Sequence, residues 1–350
     1  LTSGGDCAGL NAALRACVNH ADQLGWEVVC IRNGTDGLRS DPPNARVMKP
    51  ADFDSQIFRQ AGTILGTSNK GNPFDYPENG TTRDVSDDII RGLNSLNITG
   101  LIGIGGDGSL EILNKLARKG GFRIIGIPKT IDNDLGVTET SIGFDTAVSV
   151  ATEALDRLQP TAASHDRIMV LEVMGRDAGH IALHAGIAGA ADIILIPEIP
   201  YKIENLAAKI RTLKERGRNF ALIIVSEAVK TPEGARIERQ YFGGQVRHGG
   251  IGHYVGDALA EMTQSETRVT VLGHVQRGSQ PTWNDRMLAS ALGVHAVDLA
   301  EQGKFGRMVA WANRSVVDVP IEEATAGYQE VDVNGTLVRT ARALGISLGD

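Results

Sequence analysis

Cysteine is scarce: Cys7, Cys17 and Cys30 are the only three in 350 residues. An odd count without metal-like spacing excludes a disulfide framework. A reducing cytosol is the simplest setting, so a cytoplasmic location is expected. A basic excess is missing too, with 35 Lys and Arg against 42 Asp and Glu and a formal charge of −7. Nucleic-acid binders normally show the opposite balance, so no nucleic-acid partner is expected. A few placed arginines can still build a local pocket for an anionic substrate. Long apolar runs are also lacking. The longest are strand-sized, far short of the roughly 20 residues of a membrane helix. No membrane association is expected, and no signal peptide is visible. The chain begins at Leu1 without Met, and Leu1-Thr2-Ser3 reads as the end of a strand. A short N-terminal piece is therefore expected to precede it. What the sequence has in quantity is glycine, 42 residues, which suggests tight turns where backbone approaches something closely.

A length of 350 residues favours two domains. Short apolar, β-branched runs alternate with helical patterns. Strands are expected over 27–31, 100–104, 123–127, 167–173, 192–196, 220–225, 268–272 and 308–312. Helices are expected over 11–24, 86–96, 109–119, 144–158, 177–186, 203–216, 251–263 and 285–302. This alternation predicts α/β architecture with mostly parallel sheets flanked by helices, which bind ligands at the carboxyl ends of their strands. Residues 70–84, rich in Gly, Asn, Pro, Asp and Thr, read as a mobile loop. The polar stretch 322–336 carries no clear pattern.

Three segments carry most of the chemistry. Ser3-Gly4-Gly5-Asp6-Cys7-Ala8-Gly9 lies between a strand end and a helix. Paired glycines there leave N–H groups free to face a phosphate, and the helix adds its positive end. Gly103-Ile104-Gly105-Gly106-Asp107-Gly108-Ser109 follows one strand and opens the next helix. It matches G-x-G-x-x-G by letter, but a dinucleotide site needs an acid closing the following strand. That strand runs instead into Pro128-Lys129. Asp107 suits a magnesium ion beside a phosphate cradle, although Asp107 and Ser109 could equally be helix caps. Pro128-Lys129-Thr130-Ile131-Asp132-Asn133-Asp134 starts where a strand ends. Its acids fit either a turn or a general base beside a lysine.

Four arginines stand at strand ends. Arg176 and Arg277 sit just past strand ends, where an α/β site lies, whereas Arg167 and Arg268 sit at strand starts. An arginine fork matches phosphate oxygens. The second pair cannot reach the site of the first within one chain, which points to a neighbouring subunit.

Five motifs in order resemble the phosphofructokinase family over about residues 1–310. They are Ser3-Gly4-Gly5-Asp6, Gly105-Gly106-Asp107-Gly108-Ser109, Thr130-Ile131-Asp132-Asn133-Asp134, Glu172-Val173-Met174-Gly175-Arg176 and His274-Val275-Gln276-Arg277-Gly278. The resemblance implies ATP- and magnesium-dependent phosphorylation of D-fructose 6-phosphate to fructose 1,6-bisphosphate, a glycolytic step. It implies two α/β domains with the active site in the cleft between them. A nucleotide-binding domain would hold 1–143 plus 276–310, and a sugar-phosphate-binding domain 144–275 plus 311–350. Gly5, Gly106, Asp107, Gly108, Ser109 and Lys70 would serve ATP, with Asp107 on magnesium. Asp132 would accept the proton of the 1-hydroxyl, aided by Thr130 and Arg176. Thr130, Ile131, Asp132, Met174, Gly175, Arg176, Glu227, His274, Val275, Gln276 and Arg277 would line the sugar site. Arg167 and Arg268 would bind the 6-phosphate from the neighbouring subunit of a homodimer or homotetramer with shared active sites.

Two positions bear on the phosphoryl donor. Pyrophosphate-using relatives look like Gly-Gly-Asp-Asp, whose extra carboxylate would crowd and repel the α-phosphate of ATP. Gly108 leaves room, so ATP is favoured and a pyrophosphate-dependent enzyme is the alternative. Lys129 points the other way, since pyrophosphate users and some ATP users carry it; the combination resembles the mixed branch of the family. In Leu65-Gly66-Thr67-Ser68-Asn69-Lys70-Gly71, Lys70 would replace an arginine of the bacterial branch. Of that branch's basic effector residues Arg15 and Arg157 remain, but Asn19 and Gln60 hold two other positions, so control by ADP or phosphoenolpyruvate is not expected. Other kinases with a Gly-Gly-Asp-Gly loop lack the Met-Gly-Arg and His-Val-Gln-Arg segments. A non-catalytic subunit of the same fold would be expected to have lost Asp107 or Asp132.

Overall fold

The structure, a computed structural model, describes residues 1–68, 71–78, 80–240 and 246–350. In chain order the first elements are α1 (Leu10–Gln23), β1 (Val28–Ile31), β2 (Ala45–Met48), β3 (Tyr76–Glu78), β4 (Thr81–Arg83), α2 (Ser86–Ser95), β5 (Leu101–Gly105), α3 (Asp107–Gly120) and β6 (Ile124–Pro128). Then follow α4 (Phe144–Ser164), β7 (Ile168–Val173), α5 (His180–Ala188), β8 (Ile193–Leu195), α6 (Ile203–Glu215), β9 (Ala221–Ser226), β10 (Glu238–Gln240), β11 (Val246–His248), α7 (Ile251–Thr263) and β12 (Thr267–Val271). The last are α8 (Trp283–Glu301), β13 (Arg307–Ala312), β14 (Ser315–Pro320), α9 (Ile321–Ala326) and α10 (Thr336–Ala343).

The chain divides into two compact units, Leu1–Thr146 with Arg277–Tyr328 and Ala147–Gln276 with Gln329–Asp350. The sheet of the first unit runs β14-β13-β6-β5. β5, β6 and β13 are parallel, and β14 is an antiparallel edge. Thr2 bridges Ile104 in parallel fashion, so the first three residues continue the sheet beyond β5. β5 and β6 are apolar on both faces, as strands covered by helices on each side must be. α3 lays Leu110, Leu113 and Leu116 into a core with Leu101, Ile124 and Met308. Arg118 and Lys119 lie in its last turn, where cations suit the negative helix end. α1 meets α8 at Gly293, where an added Cβ would stand 2.8 Å from the Ala13 carbonyl oxygen; only glycine allows that approach.

The sheet of the second unit is β12-β7-β9-β8, parallel throughout. Ile168, Val170, Ile223 and Val225 from its strands pack with Leu206 and Ile210 of α6 and Val255 and Leu259 of α7.

The differences from expectation have local causes. Residues 70–84 contain the hairpin β3–β4, built on three-residue strands too short to show a period. α4 continues through Pro160 to Ser164 rather than stopping at 158. α5 begins at His180, not 177, because the chain first makes a turn at 176–177, and Gly179 stands as the helix N-cap. Residues 311–328, expected with the second domain, lie in the first unit. β14 pairs with β13 along its whole length, and α9 buries Ile321 and Ala324 in the core of that unit.

Candidate active site

Three loops of the first unit leave the carboxyl ends of three adjacent parallel strands: the Thr2 strand, β5 and β6. In the first loop Gly4 has a left-handed φ of 81°. Its N–H donates to Ser68 O at 3.0 Å, and Thr67 Oγ1 donates to its carbonyl at 2.6 Å. An added Cβ at Gly4 would stand 2.8 Å from Ser109 Oγ, and one at Gly5 would stand 2.9 Å from Arg277 Nη1. The two glycines therefore let the first loop approach the second loop and Arg277 without steric conflict. Arg277 Nη1 donates to Asp6 O at 2.6 Å. This expected sugar-site residue thus commits one donor to the first glycine loop.

The second loop opens α3. Its N-cap is Gly106, which makes no side-chain cap bond, and Asp107 occupies the first turn. The N–H groups of that turn and the helix dipole form an anion-attracting end. An added Cβ at Gly108 would meet nothing within 4 Å. The space beside this helix start is thus open, and a larger side chain would enter it.

The third loop carries Lys129, Thr130, Ile131 and Asp132. Lys129 is 4% exposed, and its Nζ donates to the Gly5 carbonyl. Burial drives the Lys129 pKa below its ordinary value; Arg277 adds to the lowering, whereas Cys7, Asp132 and Asp6 oppose it. Burial pushes the Cys7 thiol up to about 12, too high for a nucleophile at neutral pH. Asp132 is 8% exposed. Its N–H donates to Thr130 Oγ1 at 3.1 Å, and that hydroxyl donates to Asp134 Oδ1 at 3.0 Å. Ile131 is buried. Ser141 Oγ closes the loop on the Thr130 carbonyl at 2.7 Å, and its N–H donates to Asn133 Oδ1 at 3.1 Å.

In the second unit Met174, Gly175 and Arg176 follow β7, Glu227 follows the adjacent β9, and His274 and Val275 follow β12, on the other side of β7. All six therefore stand at the carboxyl end of one sheet. The Arg176 N–H donates to Glu227 Oε1 at 3.2 Å. Gln276 is 1% exposed, and its Oε1 accepts from the Met174 N–H at 2.7 Å; it acts on Met174 rather than presenting itself to solvent. His274 and Val275 are exposed. Arg167 and Arg268 stand at the amino end of the same sheet, where Arg268 is the register partner of Met169. At about 3.3 Å per residue the six residues of β7 separate the two ends by roughly 20 Å. Lys70 lies outside the described residues.

Two supporting carboxylates were given no role by the sequence, although Glu172 opens one of the five motifs. Asp285, 1% exposed, accepts from Gly143 N–H and Thr146 N–H at 2.9 Å each and from Thr146 Oγ1 at 2.5 Å. It thereby fixes the start of α4 just beyond the Asp132 loop. Burial raises its pKa, and these hydrogen bonds oppose the rise. Glu172, 2% exposed, accepts from Gly250 N–H at 2.9 Å and Gly252 N–H at 2.8 Å, capping α7.

The loops of the first unit offer a positive helix end, a carboxylate at its first residue and a second carboxylate in the loop after the neighbouring strand, a set suited to phosphoryl transfer. The phosphofructokinase family model matches residues 1–300, and the chain belongs to that family. It is 58% identical to "ATP-dependent 6-phosphofructokinase 1" of Synechocystis sp., over all of this chain and 97% of the relative. It is 55% identical to the protein of the same name from Nostoc sp., over all of this chain and 98% of the relative. Its fold matches the crystal structure of Pichia pastoris phosphofructokinase in the T-state with a TM-score of 0.82 and 28% identity. That match covers 98% of this chain and 36% of the Pichia chain, so this chain spans about a third of that protein.

Proposed function

We propose that the chain transfers the terminal phosphoryl group of ATP to the 1-hydroxyl of D-fructose 6-phosphate, giving fructose 1,6-bisphosphate in glycolysis. The observation that carries this reading is the convergence of three loops at adjacent strand ends of the first unit, with open space at Gly108. Gly5, Gly106, Gly108 and Ser109 serve the nucleotide phosphates through backbone N–H groups and the start of α3. ATP is favoured over pyrophosphate as donor because a nucleotide has room at Gly108, and relatives 58% and 55% identical carry the name ATP-dependent. The first unit is the nucleotide-binding domain and the second the sugar-phosphate-binding domain.

Asp132 accepts the proton of the attacking hydroxyl, and Thr130 orients it through the Asp132 N–H. Proton removal by a placed carboxylate contributes on the order of 10²–10⁴ in rate. Ile131 shapes the floor of that loop. Met174, Gly175, Arg176, Glu227, His274 and Val275 meet the sugar phosphate, with Gln276 holding the Met174 backbone. Arg176 adds positive charge for the transferred oxygens, and Lys129 fixes the first loop through Gly5. Among the described residues no three His, Cys, Asp or Glu side chains converge as a metal cage. Magnesium, which keeps waters and takes few protein carboxylates, fits a single ligand at Asp107. When bound it neutralises phosphate charge.

Arg167 and Arg268 bind the 6-phosphate of a neighbouring subunit, so the working unit is a homodimer or homotetramer. Among the described residues no helix is long and apolar enough to cross a membrane. The three cysteines are free and buried, which suits the reducing cytoplasm. The test is turnover of fructose 6-phosphate with magnesium, supplied with ATP or pyrophosphate in parallel. Turnover with ATP and none with pyrophosphate is expected. Turnover with pyrophosphate alone would overturn the donor assignment.

A further inference from the structure

At the amino end of the second unit's sheet, Arg167 precedes β7 and Arg268 lies at the start of β12. Between them stands Glu266, which no motif singled out. Its Oε1 meets Arg167 Nη2 at 3.0 Å and also takes Arg268 Nη2. One carboxylate oxygen thus receives both guanidinium groups. Arg167 Nε is buried and has no hydrogen-bond partner, so the arginine pair offers more donors than Glu266 can fill. The hydrogen bond from Arg167, with the nearby charges of Arg167, Arg268 and His165, holds the Glu266 carboxyl below its ordinary range. Glu266 is therefore ionised at neutral pH.

A carboxylate in an arginine fork occupies the same stereochemical position as a phosphate, because the fork fits either group. A phosphate monoester brings more oxygens and more charge. It also meets like-charge repulsion from Glu266 as it arrives. Glu266 and Arg268 are 43% and 55% exposed. Exposed ion pairs are weak, so Glu266 can swing into solvent.

We propose that Glu266 is an internal stand-in for the sugar 6-phosphate: it holds Arg167 and Arg268 together between turnovers, competes with the incoming phosphate and so sets the KM for the sugar phosphate. This rests on the assignment of these two arginines to the 6-phosphate. Neutral Glu266→Gln keeps the size of the side chain and removes the repulsion. It should lower the KM for fructose 6-phosphate about three- to tenfold and leave the KM for ATP in place. The concentration of inorganic phosphate that half-saturates thermal stabilisation should fall in parallel, and that gain should vanish in E266Q/R268A.

An unchanged or raised KM in E266Q would overturn the proposal and make Glu266 a brace that orients the arginines for phosphate. So would a phosphate gain that survives removal of Arg268. A wild-type chain without turnover on fructose 6-phosphate would instead defeat the functional reading, while the phosphate titration would still decide the role of Glu266.

Discussion

Gly108→Asp separates folding from donor choice. Gly108 is the second residue of α3, and an added Cβ there meets nothing within 4 Å. The fold therefore tolerates the change. A helix-interior glycine costs up to about 1 kcal/mol against better helix formers, and an acid in the first turn gains about 0.3–1 kcal/mol from the dipole. The variant should be as stable as the wild type or up to about 1 kcal/mol more stable, a melting shift of about 0–4 °C for units of this size. The new carboxylate projects where the nucleotide phosphates are proposed to lie. At about 5 Å and an effective dielectric of about 20, one phosphate charge is repelled by about 3 kcal/mol. That is about 10²-fold in kcat/KM for ATP. The assays are a thermal melt and steady-state kinetics with varied ATP. A kcat/KM within threefold of wild type, in a variant that melts normally, would refute the placement of ATP beside Gly108. A collapsed melting point would refute the open space.

The other predictions concern the third loop and its supports. Asp132→Asn should lose on the order of 10²–10⁴ in kcat with the sugar KM little changed; near-normal turnover would remove Asp132 from the role of base. Asp285→Asn leaves donors of the α4 start unmatched and should cost about 2–3 kcal/mol, read as a melting point lower by about 4–10 °C; an unchanged melt would make the Asp285 network dispensable. Lys129 has its pKa lowered by burial, so between that pKa and its unfolded value the unfolded chain binds more protons than the native one. The stability of the wild type relative to Lys129→Met should therefore rise with pH as neutral solution turns alkaline. Urea unfolding at a series of pH values measures this, and a constant gap would mean that Lys129 keeps its ordinary affinity for protons.

The parallel strands and their helices were legible because apolar runs of five or six residues and helices of ten or more repeat strongly enough to show a period. The observed bounds of β7 and α7, 168–173 and 251–263, fall within one residue of the expected ones. The hairpin β3–β4 has three-residue strands, too short for periodicity to register. α4 reads as ending before Pro160, yet it runs on to Ser164, although proline there removes a ladder bond. β14 alternates apolar and polar residues only weakly, and its pairing with β13 is a tertiary fact that moved residues 311–328 to the first unit.

Glycines and acids of the candidate site could be named from the sequence because they punctuate strand ends. The roles of Asp285, Glu172 and Glu266 could not. Each acts on groups far away in sequence or on a neighbouring strand, such as Gly143, 142 residues before Asp285. No local pattern marks a carboxylate whose partners are distant N–H groups, and only folding brings them together.

The most direct test is phosphorus NMR of fructose 6-phosphate incubated with the enzyme, ATP and magnesium. The expected spectrum loses the γ-phosphate of ATP and gains ADP and a second phosphomonoester on carbon 1 of the sugar, at matching rates. ADP with free phosphate and an unchanged sugar, or no loss of ATP at all, would contradict transfer to the 1-hydroxyl.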